Sequence, residues 1–458
     1  MRRLSPLLFV ALTGCLGNEI RPVAVPPVVP PAAWRTDDAA AGAIDRAWWQ
    51  SFGDPVLTSL VERALANNSD IAISAGRVRE AEGNLRAVAS QLLPNIEAAG
   101  AAGHSRAVSA FGTPQIQNYA QPQLQAAYQV DLFGRLADQR SAARDAYLAS
   151  EAGHDALRLS IANTVANSYI ALIGLDARLE VARATLAARS DSLRIARSRV
   201  DRGYAPRLDL DQAEAEYQAA VQIIPQAELA ISRLEDSLSQ LVGDTPHAIA
   251  RGAKLDGLTE VAVPAGLPSD LLRRRPDIAA AEYQLAAADK SLSAARKRFL
   301  PQISLSAAGG AAFSTLLADP ITIWSAGGSI LAPLFEGGRL TGQTEAAAGQ
   351  RDQAAFAYRK AALGAFREVE DALAAIQRLD EQVVAATAQR DALQNALRRA
   401  TNRYREGYSP YLEQLDAERQ LLGAQLGLVQ ARTDALNARV QLYAALGGGW
   451  APGDVKRP

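Results

Sequence analysis

The chain has 458 residues, with 48 Lys plus Arg against 49 Asp plus Glu, and its formal charge of -1 supplies no basic field for nucleic acid. One cysteine excludes an intramolecular disulfide, and three histidines without cysteine companions match none of the usual zinc spacings. Only 6% of the residues are aromatic, and the abundance of Ala, Leu, Arg, Gln and Glu is typical of long packed helices, so the sequence predicts neither an enzyme nor a metal or cofactor site.

The first fifteen residues have the layout of a bacterial export signal. Two arginines precede a short apolar run that cannot span a bilayer, and the sole cysteine, Cys15, follows Thr13 and Gly14. This arrangement resembles a lipobox, so the sequence predicts a signal peptide at 1–14 and an acylated N-terminus with an extended tether at 15–45. A plain secretion signal with an incidental cysteine is the alternative.

The remainder of the chain repeats one pattern. Segments 46–245 and 267–450 carry the same landmarks in the same order, joined by a linker at 246–266 and followed by a tail at 451–458. The matched landmarks are Asp70-Ile71 with Asp277-Ile278, Leu93-Pro94 with Leu300-Pro301, and Arg202-Gly203-Tyr204 with Glu406-Gly407-Tyr408. A unit of this length is too long for a solenoid repeat, so the pattern predicts a duplicated half-structure.

Each half contains a very long helix and a returning helix. The segments 134–202 and 338–406 are free of proline, and each would reach about 100 Å at 1.5 Å per residue. The returning helices are predicted at 206–242 and 410–446. Only the first of these contains an internal proline, Pro225, which removes a backbone donor and is expected to kink the helix.

Two segments alternate between polar and apolar residues with the period of a β-strand. They are Gln123 to Leu132 and the segment that begins at Gln302, with 94–108 and 320–333 as the predicted partners. Four amphipathic strands in a chain with an N-terminal membrane anchor favour a transmembrane β-barrel. Because four strands cannot close a barrel, chains must associate, and two chains would supply eight strands and three would supply twelve.

Two motifs make the sequence similar to a known family. Residues 271–278 read Leu-Leu-Arg-Arg-Arg-Pro-Asp-Ile, and residues 444–450 read Ala-Ala-Leu-Gly-Gly-Gly-Trp. Together with the repeat and Cys15, they resemble the TolC-like outer membrane factor family, in particular its lipoprotein branch, which serves efflux pumps of the resistance-nodulation-division type.

The resemblance implies a mixed α+β membrane fold. In that family, a homotrimer forms a twelve-stranded transmembrane β-barrel in the outer membrane, with four strands from each chain, continuous with a twelve-helix periplasmic α-barrel. The implied partners are outer membrane lipid, a periplasmic adaptor (membrane fusion) protein and an inner-membrane pump. The implied location is the cell outer membrane, lipid-anchored and extending into the periplasm.

The resemblance also implies a closed constriction at the periplasmic end of the helices. The predicted gate residues are Tyr404, Leu412, Asp416, Arg419, Asp209 and Asp211. Leu412, Asp416 and Arg419 share one helix face by their spacing. Three symmetry copies of Asp416 would bias the pore toward cations, and Arg419 and Arg403 are the cations expected to pair with it. Solvated charges on an exposed helix end are the alternative.

The helical hairpins end in two similar turns. Gly203 and Gly407 can adopt the left-handed conformation that ends a helix, and each is followed by an aromatic residue, Tyr204 or Tyr408. An aromatic side chain at a loop tip favours recognition over packing, so these four residues are the predicted adaptor contacts.

The sequence therefore predicts the exit duct of a tripartite efflux pump, which passively conducts small molecules. An exit duct for type I protein secretion is the alternative within the same fold. A surface-anchored structural coiled coil is the alternative from another class, and the amphipathic strands argue against it because such a protein does not need them.

Overall fold

The computed structural model describes residues 21–35, 44–259, 266 and 268–450. The predicted signal peptide, Cys15 and the C-terminal tail lie outside the described residues. The helices and strands follow the order α1 (Pro55–Asn67), α2 (Ser69–Ala89), β1 (Asn95–Val108), β2 (Pro114–Val130), α3 (Arg135–Asp201), α4 (Arg207–Leu241), α5 (Pro268–Arg274), α6 (Pro276–Arg296), β3 (Gln302–Ser314), β4 (Ile321–Leu331), α7 (Arg339–Arg405) and α8 (Tyr411–Ala445).

The chain divides into two compact units. Of the described residues, the first unit comprises 21–27, 76–151 and 279–360, and it contains the four strands. The second comprises the described residues within 28–75, 152–278 and 361–450, and it contains the turns of both helical hairpins. Because the repeats are interleaved in this way, neither unit corresponds to one repeat.

The strands of the first unit form one antiparallel sheet in the order β1-β2-β3-β4. β2 begins at Pro114 rather than at Gln123, because it pairs with β1 along the whole length of that strand, from Asn95 opposite Ala127 to Val108 opposite Pro114. The other three strands lie where the alternating pattern predicts them. Within the described residues, β1 and β4 each pair with one strand only, so the sheet has two open edges.

The predicted long helices are confirmed. α3 and α7 have 67 residues each, and both begin and end within a residue of the segments expected from proline placement. The returning helices α4 and α8 have 35 residues each. α4 continues through Pro225 without interruption, so the predicted kink does not divide it. None of the helices in the described ranges combines the length and the hydrophobicity that crossing a bilayer requires.

The core of the second unit forms around an aromatic cluster. Trp48 stacks on Tyr443 with ring centroids 5.2 Å apart, and Phe52 packs against both rings. Asp54 caps α1 through the Val56 amide at 2.7 Å and accepts the buried Tyr169 hydroxyl at 2.9 Å. These hydrogen bonds satisfy the buried polar groups, because water cannot reach them.

The predicted linker at 246–266 is part of this core where the structure describes it. Ile249, Leu255 and Leu258 are buried in the same cluster, and the Ala253 amide donates to Asp54 at 2.8 Å. The connection between the repeats is therefore packed rather than free. The apolar residues of this segment follow neither a helical nor a strand period, so the sequence pattern does not identify them as core.

Candidate functional site at the hairpin tips

The two hairpin turns have the same backbone geometry. Gly203 and Gly407 have φ values of 76° and 81°, in the left-handed region that a side chain disfavours. The Tyr204 amide donates to Arg199 O at 2.8 Å, and the Tyr408 amide donates to Arg403 O at 2.8 Å. This is the Schellman pattern, and it satisfies carbonyl groups that the helix end would otherwise leave unpaired.

The tyrosines that follow these glycines point into solvent. Tyr204 is 76% exposed and Tyr408 is 78% exposed, although both are large enough to pack against a helix. Leu208 and Leu412, which follow the turns at equivalent positions of the two repeats, are also exposed. Each tip therefore presents one aromatic and one aliphatic side chain, a small apolar surface at the end of a rigid hairpin.

An aromatic cluster lies beneath the second turn. Tyr404, which is 3% exposed, packs against the fully buried Tyr411 with ring centroids 5.4 Å apart. The Arg199 guanidinium from α3 lies 4.5 Å from the Tyr404 ring centre and donates to Tyr404 O at 2.7 Å. Burial raises the pKa of the Tyr404 hydroxyl and raises that of Tyr411 to about 12, so both stay protonated at physiological pH.

Tyr404 therefore does not lie on the exposed surface where a gate residue was expected. Its hydroxyl is buried and has no hydrogen-bond partner among the described residues. The side chain instead joins the end of α7 to α3 and α8 through ring contacts. The sequence indicated an aromatic near the constriction, but the period of a helix end does not tell which side of the hairpin it faces.

A buried ionic network joins the two hairpins just above this cluster. Arg189 on α3 is 3% exposed and pairs with Glu418 on α8 and, at 3.3 Å, with Glu216 on α4. Glu418 also accepts the Ser192 hydroxyl at 3.1 Å and the Gln414 amide at 2.6 Å. One arginine thus neutralises carboxylates from both returning helices, with most of the carboxylate oxygens hydrogen-bonded.

Sequence reasoning missed this network. A signal for it was present, because Gln414 and Glu418 occupy the buried face of α8, in line with Tyr411, Leu415 and Leu421. Polar residues in an otherwise apolar helical stripe require a partner when they are buried. The partner Arg189, however, lies more than two hundred residues away along the chain, and no local pattern identifies it.

The predicted gate residues of α8 share one exposed face, and their contacts within the chain differ from the expected ion pairs. Leu412, Asp416 and Arg419 are all exposed. Within the chain, Arg419 donates through Nε to Glu216 at 2.7 Å, and Arg403 pairs with Glu413 at 3.5 Å. Asp416 accepts only the Gln420 amide, at 2.6 Å, among the described contacts. Its charge is therefore not neutralised by the arginines that were expected to pair with it.

The predicted acidic residues of the first hairpin differ from each other. Asp209 is half-buried, and this burial raises the pKa of its carboxyl above the ordinary value. Asp211 is exposed. Among the residues that the structure describes, no group of three or more His, Cys, Asp or Glu side chains could hold a metal ion.

The strands place polar and apolar residues on opposite faces of the sheet. Residues opposite each other in an antiparallel ladder point to the same side, so the register assigns every strand residue to a face. The polar face carries Gln117, Gln121, Gln123, Gln125 and Gln129 on β2, with Ser304 and Ser306 on β3. Glu97 is the one carboxylate on the described strands, and it lies on this face, opposite Gln125.

The apolar face carries large exposed side chains. They are Ile96, Leu124, Leu305, Phe313, Trp324 and Ile330, and the partly exposed Val130 and Ile303 lie on the same face. Trp324 is 80% exposed, which is far more than a soluble sheet tolerates for a row of such residues. A sheet with one apolar face, one polar face and two open edges has the pattern of a segment of a membrane barrel.

Comparison with known proteins gives consistent matches over nearly the whole chain. The sequence profile of a family described as outer membrane efflux protein matches residues 60–244 and 267–448. The chain is 34% identical over 428 residues to the toluene efflux pump outer membrane protein TtgC of Pseudomonas putida, covering 92% of this chain and 88% of that protein. It is 33% identical over 468 residues to the pyoverdine export outer membrane protein OpmQ of Pseudomonas aeruginosa, covering 98% and 97%.

A solved structure shows the same architecture. The open state of the MtrE outer membrane channel of Neisseria gonorrhoeae superposes with a TM-score of 0.82 and 29% identity, covering 94% of this chain and 97% of that one. An identity above a quarter together with such a superposition over almost the full length indicates a shared fold and not only shared helices.

Proposed function

The chain belongs to the outer membrane efflux protein family, and from that membership we propose that three copies assemble into the exit duct of a tripartite efflux pump. The chain is an outer membrane channel protein that extends into the periplasm. The trimer, the adaptor contact and the gate described below are parts of the proposal.

The observation that carries the proposal is the four-stranded sheet with two open edges. In a bilayer, each unpaired backbone group at the edges β1 and β4 costs at least about 1–3 kcal/mol. The edges must therefore pair with strands of other copies. Three copies supply twelve strands, enough to enclose a passage lined by the glutamine and serine side chains of the polar face.

The proposed cargo is small molecules. The relatives TtgC and OpmQ are named for the efflux of toluene and the export of pyoverdine. These names favour an efflux duct over the alternative, a duct for type I protein secretion. The lining of the polar face, mainly amides and hydroxyls, supports passage of solutes of either charge without selecting one.

Native mass spectrometry of the full-length protein tests assembly and anchoring together. We expect a detergent-solubilised complex of three copies, each heavier than the cleaved polypeptide by the mass of the acyl chains on Cys15. The Cys15→Ser variant should lose that added mass. A stable monomer would contradict the trimer, whereas a trimer of equal mass in wild type and variant would contradict acylation alone.

The hairpin tips are the proposed adaptor contact. Because Tyr204 and Tyr408 are exposed at turns whose glycines fix the backbone, replacing both with alanine should leave the fold intact and remove the apolar surface. We expect Tyr204→Ala with Tyr408→Ala to reduce crosslinking to the adaptor and drug efflux at least tenfold, a typical effect for losing two aromatic anchors (~1–2 kcal/mol or more).

A matched control uses an exposed aromatic of the other unit. Phe111, in the turn between β1 and β2, is similarly exposed but does not belong to the tips. Phe111→Ala should leave adaptor crosslinking unchanged. Unaltered crosslinking and efflux in the double tip variant would refute the proposed contact.

A further inference from the structure

One end of the apolar face carries basic side chains. Toward the β1–β2 turn, the residues on this face become His104 and Arg106 on β1, with Asn118 opposite His104 on β2. On the described strands, His104 and Arg106 are the only basic residues, and both lie on the face that carries mainly apolar and small residues. The single strand carboxylate, Glu97, lies on the other face.

Their height along the strand can be estimated from β1 alone. With about 3.3 Å per residue and a tilt of 35–45°, His104 lies about 23 Å and Arg106 about 28 Å above Asn95, measured along the barrel axis. The apolar band of such barrels is about 25 Å tall. His104 therefore lies at the upper margin of the band, and Arg106 lies just beyond it.

The direction follows from chain connectivity. Asn95, Val130, Gln302 and Leu331 are the strand ends that connect to helices, and the opposite ends connect through the turns at 109–113 and 315–320. Since the helices of this family's channels extend into the periplasm, the turns face the cell exterior. His104 and Arg106 then meet the headgroups of the outer leaflet.

The side chains suit a phosphate group. His104 Nδ1 donates to the Asn118 side-chain oxygen at 2.6 Å, which fixes the ring and leaves Nε2 directed away from that bond. The Arg106 guanidinium offers a planar fork that binds phosphate oxygens in pairs. No carboxylate on this face of the described strands competes with a phosphate for Arg106 or His104.

We propose that His104, Arg106 and Asn118 bind the phosphate of a phosphorylated glycolipid of the outer leaflet, with its acyl chains lying along the apolar face. Ile116, Leu124 and Phe313 lie on that face below or beside the basic pair and offer the chains an apolar surface. The inference rests on the barrel of the proposed function, because only that arrangement turns this face toward lipid.

The test uses the purified full-length protein and two defined lipids, bisphosphorylated lipid A and its dephosphorylated form. We expect wild type to bind the phosphorylated lipid about tenfold more tightly, as measured by titration in native mass spectrometry, because charge-assisted hydrogen bonds to phosphate are lost with the other lipid. His104→Asn with Arg106→Gln should abolish this preference. Arg398→Gln, which removes an exposed arginine of α7, should retain it.

A conservative variant keeps the test decisive if the double variant misfolds. Arg106→Lys keeps the charge and loses the planar fork, so we expect it to retain about a third of the preference. Equal binding of both lipids by wild type, or an undiminished preference in the double variant and in Arg106→Lys, would overturn the site.

The same spectra separate this inference from the proposed function. A wild-type protein that is not a trimer would contradict the duct and this site with it. A wild-type trimer that does not distinguish the two lipids would contradict the site alone. Loss of the preference in the basic-pair variant, with the trimer intact, supports both.

Discussion

Replacing Arg189 with alanine is expected to loosen the hairpin tips by about 3 kcal/mol, the lower end of the cost of leaving a buried carboxylate without its cation. Arg189 is 3% exposed, so solvent does not screen its pairs with Glu418 and Glu216. Glu418 retains its hydrogen bonds from Ser192 and Gln414, which is why the lower end applies. Hydrogen exchange of backbone amides at 186–196 and 411–421 should accelerate about 100-fold in the variant.

Two further variants make this expectation specific. Arg194, which pairs with Asp191 on the surface of the same helix, is a matched control, and Arg194→Ala should change exchange by less than about fivefold. Arg189→Met with Glu418→Leu removes both charges and should recover most of the protection. If Arg189→Ala and Arg194→Ala behaved alike, the buried network would not hold the tips together.

The sequence predicted those parts of the fold that depend on local rules. Proline placement located α3 and α7 to within a residue, because proline is excluded from a helix interior but tolerated at its start. Alternation located β3, and the glycines at 203 and 407 located the hairpin turns. The resemblance to the TolC-like outer membrane factor family is confirmed by the profile match over both repeats.

The sequence did not predict contacts that depend on how helices pair. The period of α8 assigns Asp416 and Arg419 to one face correctly, but it cannot tell that Arg419 reaches Glu216 on α4. The orientation of Tyr404 could not be predicted for the same reason, because an aromatic residue at a helix end can face either a pore or a neighbouring helix. The kink expected at Pro225 stays a prediction, since α4 is continuous through this residue and its bend is a separate property.

The predicted gate remains a proposal, and its exposed acidic residues are Asp416 and Asp211. Asp416 accepts a hydrogen bond from Gln420, but no arginine of the described residues pairs with it. Asp211 is exposed, whereas Asp209 is half-buried and burial raises the pKa of its carboxyl.

Asp416→Ala is expected to raise single-channel conductance in a planar bilayer and to weaken the preference for cations. The proposal is that each exposed Asp416 contacts the neighbouring copy across the aperture of the trimer. Three such partly exposed contacts, at about 0.2–1 kcal/mol each, sum to about 0.6–3 kcal/mol, enough to shift a closed–open equilibrium several-fold. The change in selectivity should be larger at 0.1 M salt than at 1 M, where the screening length falls from about 10 Å to about 3 Å. In cells, the variant should admit vancomycin-sized solutes.

Two controls separate the gate from the packing beneath it. Asp434, on the same helix, accepts a hydrogen bond from Gln430 at 2.9 Å, as Asp416 does from Gln420. It lies about five turns further along the helix than Asp416, at 3.6 residues per turn, so Asp434→Ala should conduct like wild type. Tyr404→Phe removes a buried hydroxyl that has no partner among the described residues, and it should be silent as well. If Asp416→Ala left conductance and selectivity unchanged, the constriction would depend on other residues, and Asp211 with Asp209 on the first hairpin would be replaced next.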